Sequence, residues 1–235
     1  MVAFSGPDPI GVLIGAKRPS ATLVHKIAVH PDHRRQGHGR HLLASLGSKL
    51  AILGPPRIVA EVPETLAPAR ALFSAGEYVE EACLTDFVLA EPALSAGGDA
   101  APVGGLVIPV TVGDLSANGL LGEPERHVSW QRSVETLMAR KEEIAGFAVA
   151  SDEQIEAYLL YVESEIETEI LSLRSLIDDG GARLRQLLTQ LRARGVRTVS
   201  WPKVHPAEMS KEWLETLGFR AAGGHLLYAA QARSG

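Results

Sequence analysis

The chain has 235 residues, 46% of them hydrophobic and 22% charged, with a mean hydropathy of +0.06. This is globular composition, enough for one large domain or two small ones. The formal net charge of −5 excludes the overall basic excess expected of a nucleic-acid or anionic-membrane binder, and a single cysteine, Cys83, excludes an intramolecular disulfide and a thiolate zinc cluster.

The opening stretch MVAFSGPDPIG lacks the basic start and long apolar region of a signal peptide. No run approaches the roughly 20 apolar residues of a membrane span, so a cytoplasmic protein is expected. Strands are expected at MVAFSG, IGVLIGAKR, ATLVHKIAVH and RIVAEV, the first two joined as a hairpin through the turn GPDP. Leu42, Leu43, Leu46 and Leu50 recur at helical spacing and predict a helix from about Gly37 to Leu50. A shorter helix follows over Ala67–Ala75, then a strand at CLTDFVLA, in which Cys83 reads as a buried position. Residues 91–105, EPALSAGGDAAPVGG, are rich in Pro, Gly and Ala and read as a linker.

Beyond it, LVIPVTVGDL reads as a strand and SWQRSVETLMARK as helical. EIAGFAVAS, QIEAYLLYVES and TEILSLRSLI form a strand series. GARLRQLLTQLRARG is a helix, VRTVSWPKV a strand, PAEMSKEWLETLG a helix and FRAAGGHLLYAAQ a closing strand or hairpin. GHGRHLLASL matches ARLRQLLTQL in kind, and ALFSAGEYVEE matches EWLETLGFRAA, so residues 1–90 and 106–235 read as two copies of one α/β unit.

Charge is unevenly placed. Lys26, Arg34, Arg35 and Arg40 face only Asp32 within residues 25–41, which suits a small anionic ligand. The segment HPDHRRQGHG stands between a strand and a helix. A helix start leaves backbone N–H groups without intrahelical partners and carries partial positive charge, so it accepts a phosphate if the backbone can come close. Gly37 and Gly39 permit that approach, and the three arginines add charge-assisted contacts. The dinucleotide-binding fingerprint would need a third glycine and a later acidic residue; GHGRHL lacks that glycine.

IAVHPDHRRQGHGRHLLASL resembles the signature of GNAT-type acetyltransferases: a strand ending in Val, then Pro, then R-x-x-G-x-G, then a Leu-rich helix. The resemblance covers roughly residues 1–90 and, more faintly, 106–235. It implies an α/β (α+β) fold of two GNAT-like units, each a mixed, mostly antiparallel sheet flanked by helices. The first unit lacks the usual opening strand and helices, a wall that the second unit or a partner subunit would have to supply. It further implies acetyl-CoA as co-substrate, its pyrophosphate on Arg34, Arg35, Gln36, Gly37, His38, Gly39 and Arg40 and its pantetheine arm along Ile27, Ala28 and Val29. An amine, small molecule or peptide, then attacks the thioester directly, with the oxyanion held by strand amides near Val29. His25 stands where relatives often carry a carboxylate base, and imidazole as a group exchanges protons near neutrality.

Relatives often place a tyrosine as the acid on the helix after the fifth strand. Here Phe73 and Leu214 occupy the two corresponding positions, leaving water or Tyr78 for that role. H-x-x-H occurs at His30/His33 and His38/His41, but interleaved arginines repel a cation, and no metal is expected. In the second unit Asp178 and Asp179 replace the arginines and read as helix caps, so a degenerate second copy is expected. Trp130, Trp201 and Trp213 read as packing residues. The activity implied is N-acyl transfer; the alternative is a catalytically reduced module that binds acyl-CoA for sensing or scaffolding. No nucleic acid or membrane partner is expected, and a homodimer formed by swapping is open.

Overall fold

The structure, a computed structural model, describes residues 1–90, 104–121, 128–164 and 167–233. Most of the expected linker, residues 91–103, lies outside the described residues. The chain divides into two compact units, Met1–Cys83 with Gly224–Gly235, and Leu84–Gly223.

The first unit begins with β1 (Val2–Ser5), β2 (Asp8–Lys17) and β3 (Ala21–Val29), then α1 (His38–Leu53), β4 (Arg57–Pro63) and α2 (Ala67–Ala75). The strand β5 (Val79–Ala90) starts in this unit and ends in the second; β11 (Arg220–Gln231) makes the return passage. The first unit's strand order is β1-β2-β3-β4-β11. The three opening strands are antiparallel, β3 and β4 are parallel, and β11 closes antiparallel to β4 from Gln231↔Arg57 to His225↔Pro63. The parallel step between β3 and β4 requires a crossover, which α1 supplies. α1 buries Leu42, Leu43, Leu46 and Leu50 over Leu13, Val24, Ile58, Leu226 and Tyr228. Each such leucine contributes about 2 kcal/mol in transfer terms, which anchors the helix start over the end of β3.

The second unit contains β6 (Leu106–Pro109), α3 (Val112–Ala117), α4 (Val134–Ala139), β7 (Ala145–Ala150), β8 (Ile155–Glu163) and β9 (Thr168–Ser175). α5 (Ala182–Ala193), β10 (Thr198–Val204) and α6 (Lys211–Thr216) follow. Its strand order is β5-β10-β9-β8-β7-β6, parallel only between β10 and β9. Both units thus have the expected mixed, mostly antiparallel sheet with helices. The run LVIPVTVGDL is not one strand. Thr111 caps α3 in a reciprocal box with Asp114, and these bonds hold the Asp114 carboxyl below its usual range; the T-x-x-D spacing ends the strand at Pro109. The helical stretch from Ser129 likewise resolves into a 3-10 turn, Trp130–Arg132, and α4 capped by Ser133. The last strand is continuous rather than a hairpin, and Cys83, although in β5, is exposed rather than buried.

Candidate functional site

In the first unit β3 and β4 are register partners only over Ala21–Leu23 and Arg57–Val59, although they run on to Val29 and Pro63. They part after Leu23 and leave an open strand edge. On its other side β3 stays paired with β2, with one irregularity: Gly15 faces Val24 and Ile14 faces Lys26, so His25 is the extra, bulged residue. The His30 amide donates to the Ile10 carbonyl at 2.8 Å. Antiparallel alternation then turns Ala28 toward β2 and leaves the amides of Ile27 and Val29 facing the opening.

The loop after β3 is held by its own side chains. Arg34 Nε donates to the Val29 carbonyl at 3.1 Å, and Gln36 Nε2 to the Asp32 carbonyl at 3.1 Å. Arg35 takes a left-handed φ of 62° and Gly37 one of 88°. No side chain caps α1, and no acidic residue lies in its first turn, so its leading amides stay available. A Cβ on Gly37 would meet nothing within 4 Å, whereas one on Gly39 would sit 3.0 Å from a Leu72 methyl. The two glycines therefore serve different ends: Gly37 a backbone turn, Gly39 the approach of α2 to α1. Arg34, Arg35 and Arg40 are exposed. The amides, guanidinium groups and open edge together fit a thioester carrying a diphosphate.

The sequence-selected residues His25, Ile27, Ala28, Val29 and Arg34 to Arg40 thus gather at the end of β3 and the start of α1. His25 is exposed. The rings of His30, His33 and His38 meet edge-to-face at 5.9 and 6.1 Å. No group of three or more His, Cys, Asp or Glu among the described residues is disposed to hold a metal.

Phe73 is buried, stacked on Tyr228 at 5.8 Å and edge-on to Tyr78 at 5.2 Å. Tyr78 is also buried, its hydroxyl has no hydrogen-bond partner, and burial pushes its phenol up to about 12. It lines a cavity of about 600 Å³ that extends along α1 from Gly37 past Arg40 to Gly47 and Ser48. Glu77 and Arg233 complete its wall, 3.6 Å apart. Sequence reasoning missed this cavity. Two signals pointed to it: a glycine inside a helix, Gly47, and Glu77 at φ 64°, where the second unit carries Gly218 at φ 92°.

The second unit repeats the layout and closes it. β9 and β10 are paired only at Thr168↔Val199 and Glu169↔Ser200, and Leu171 is the bulged residue. At the start of α5, Asp179 accepts hydrogen bonds from the amides of Gly181 (2.9 Å) and Arg183 (2.8 Å), and the Trp213 ring occupies the space beside Gly181. The donors that a phosphate would use are taken by a carboxylate. Where β10 has parted from β9, the buried Arg132 donates to the carbonyls of Pro202 and Lys203 and to the Glu208 carboxylate. Burial raises the Glu169 carboxyl above its usual value at the foot of this opening.

Residues 1–76 match the model of the Acetyltransferase (GNAT) family. No curated protein matches the sequence. A tandem GNAT protein from the clavulanic acid biosynthesis pathway is 20% identical with a TM-score of 0.67, covering 99% of this chain and 82% of that one. A GCN5-related N-acetyltransferase from Sphaerobacter thermophilus is 14% identical, TM-score 0.63, covering 97% and 78%. A conserved protein of Enterococcus faecalis V583, described as a probable N-acyltransferase, is 12% identical, TM-score 0.61; this chain spans 60% of it and is itself covered over 96%. Residues 1–76 are thus similar to the GNAT acetyltransferase family, and the chain has the fold of a tandem GNAT protein.

Proposed function

We propose that the first unit binds acetyl-CoA and passes its acyl group to an amine, small molecule or peptide. The observation that carries this reading is the parting of β3 and β4 beside an uncapped helix start rich in guanidinium groups. Acetyl-CoA supplies an acyl thioester. The amides from Arg35 to Arg40 bond its diphosphate, Arg34, Arg35 and Arg40 add charge, and Gln36 and His38 shape the loop. Ile27 and Val29 present amides to the pantetheine arm and to the carbonyl oxygen as it gains charge; Ala28 keeps the strand on β2. His25, lifted from the ladder by the bulge, takes the proton of the attacking amine as the C–N bond forms; the C–S bond then breaks and the coenzyme leaves as a thiolate that takes a proton from water. The second unit, with Asp179 and Arg132 filling the matching places, binds none, so one coenzyme binds per chain.

The binding-module reading is favoured by one observation: the two positions where relatives carry the acid hold buried, apolar Phe73 and Leu214. Titration with acetyl-CoA by calorimetry tests the shared premise. One site per chain is expected for the wild type and none for Gly37→Glu/Gly39→Glu with its circular dichroism retained. A wild type that binds no acetyl-CoA removes the proposal. Bound coenzyme without turnover across an amine panel selects the module.

A further inference from the structure

We infer that the face of β1, β2 and β3 turned away from α1 is a contact between two copies of this chain, and that the second copy walls the approach of the amine beside His25. The contact rests on the sheet alone; only its role in transfer rests on the function proposed above.

A sheet face that meets water normally carries polar side chains. This one carries apolar ones. Leu13 and Val24 pack with α1, so alternation turns Val2, Phe4, Val12 and Ile14 to the other side. Val2 is 51% exposed, Phe4 61% and Ile14 49%. β1 is also an outermost strand, and its Val-Ala-Phe-Ser has neither the charge nor the proline that protects such an edge.

The second unit repeats the register and covers it. There Ala148 faces Tyr158, Tyr158 faces Arg174, and Leu160 faces Ser172 beside the bulge at Leu171. In the first unit Val2 faces Val12, Val12 faces Ala28, and Ile14 faces Lys26 beside the bulge at His25. Ala148, Tyr158, Leu160 and Leu171 are at most 1% exposed, packed with Val112 and Leu115 of α3 and Leu137 of α4. Among the described residues the chain has one such pair of helices, and the second unit uses it. Leu171 and His25 hold the same place in the register, so whatever covers the first unit stands over His25.

The composition of the face selects the occupant. Among the register partners on this face Lys26 is the one charged side chain. A surface so nearly free of charge gives an unlike partner no pattern to match, whereas a two-fold contact needs only a patch that complements itself. The first unit's other exposed large apolar side chains, beyond Met1, are Ile52, Leu53, Leu66 and Val79, on other elements. The face itself is therefore the apolar surface of this unit that fits it. Two copies pack sheet on sheet, about 10 Å apart.

The full chain is sedimented in an analytical ultracentrifuge, wild type beside Phe4→Glu/Ile14→Glu, with circular dichroism, acetyl-CoA calorimetry and amine turnover on each. The wild type is expected at twice the 25.1 kDa of one chain. The variant is expected as a folded monomer, its dissociation constant raised at least roughly 100-fold because four carboxylates would enter an apolar contact. Its acetyl-CoA affinity stays, since α1 packs on the opposite face, and its turnover falls about 10-fold as the amine loses its wall. Val2→Lys alone tests the same contact if the double variant does not fold, and Ile52→Glu/Leu53→Glu, in the last turn of α1, stays dimeric. A monomeric wild type, or a dimer that the face variants do not dissociate, overturns the inference and leaves the proposed function standing. Dissociation with turnover unchanged overturns the wall over His25. Dissociation as expected while no form binds acetyl-CoA upholds the contact and overturns the proposed function.

Discussion

Replacing Arg132 by methionine tests the claim that the second unit closes its own strand opening. The guanidinium is 2% exposed and its partner carboxylate, Glu208, 10%. Its N–H groups serve two carboxylate oxygens and two backbone carbonyls. Methionine fills much of the volume but leaves Glu208 buried and unpaired. Removing one member of such a pair costs about 3–5 kcal/mol; the slight exposure of Glu208 favours the lower end, and two orphaned carbonyls push upward by about 1 kcal/mol each. At roughly 2–4 °C per kcal/mol for a protein of this size, melting should fall by about 10 °C. All three tryptophans, Trp130, Trp201 and Trp213, lie in the second unit, so their fluorescence during urea unfolding reports that unit. Arg132→Met/Glu208→Met should recover only part of the loss, since the Pro202 and Lys203 carbonyls still lack the Arg132 donors. A single variant within 1 kcal/mol of wild type would show that the ion pair does not hold β10.

Arg35→Gly relieves a left-handed conformation costing about 1–2 kcal/mol, partly offset by the freer unfolded chain; a raised melting temperature with weaker, less salt-dependent acetyl-CoA binding is expected, and unchanged binding would remove Arg35 from the anion site. His25→Ala should lower turnover about 100-fold at neutral pH, with coenzyme affinity by calorimetry unchanged; undiminished turnover assigns the base elsewhere. The Tyr78 phenol is raised from 10.0 to about 12 by burial, so its contribution to stability is complete below pH 10 and is lost as pH rises through 12. Denaturant unfolding between pH 10 and 12 should therefore show a decline that Tyr78→Phe lessens.

The loop proposed for a diphosphate could be picked out because its residues are local: Arg34 to Gly39 follow a strand and precede a leucine-spaced helix within twenty residues. What joins distant residues was not. His25 is a bulge only through the register of β3 on β2, which strand periodicity does not carry. Gly39 faces Leu72, 33 positions on, and so reads in sequence as a ligand glycine alone. Arg132 and Glu208, 76 residues apart, gave no pattern to connect them. The break after Pro109 was present as T-x-x-D but was outweighed by the apolar run around it.

An unpaired strand edge must meet a partner, because buried amides and carbonyls left without one cost free energy. Each unit makes such an edge by parting its two parallel strands. In the second unit the chain answers from within: Asp179 caps α5, and Arg132 serves the carbonyls of the parted β10. In the first the chain answers only in part: Arg34 serves the Val29 carbonyl, but α1 is uncapped, Gly37 exposes backbone, and the Ile27 and Val29 amides face the gap. The same fold with fewer internal partners is what the proposed binding of an external one requires. That contrast within a single chain argues for a ligand at the first opening more strongly than the glycines taken alone.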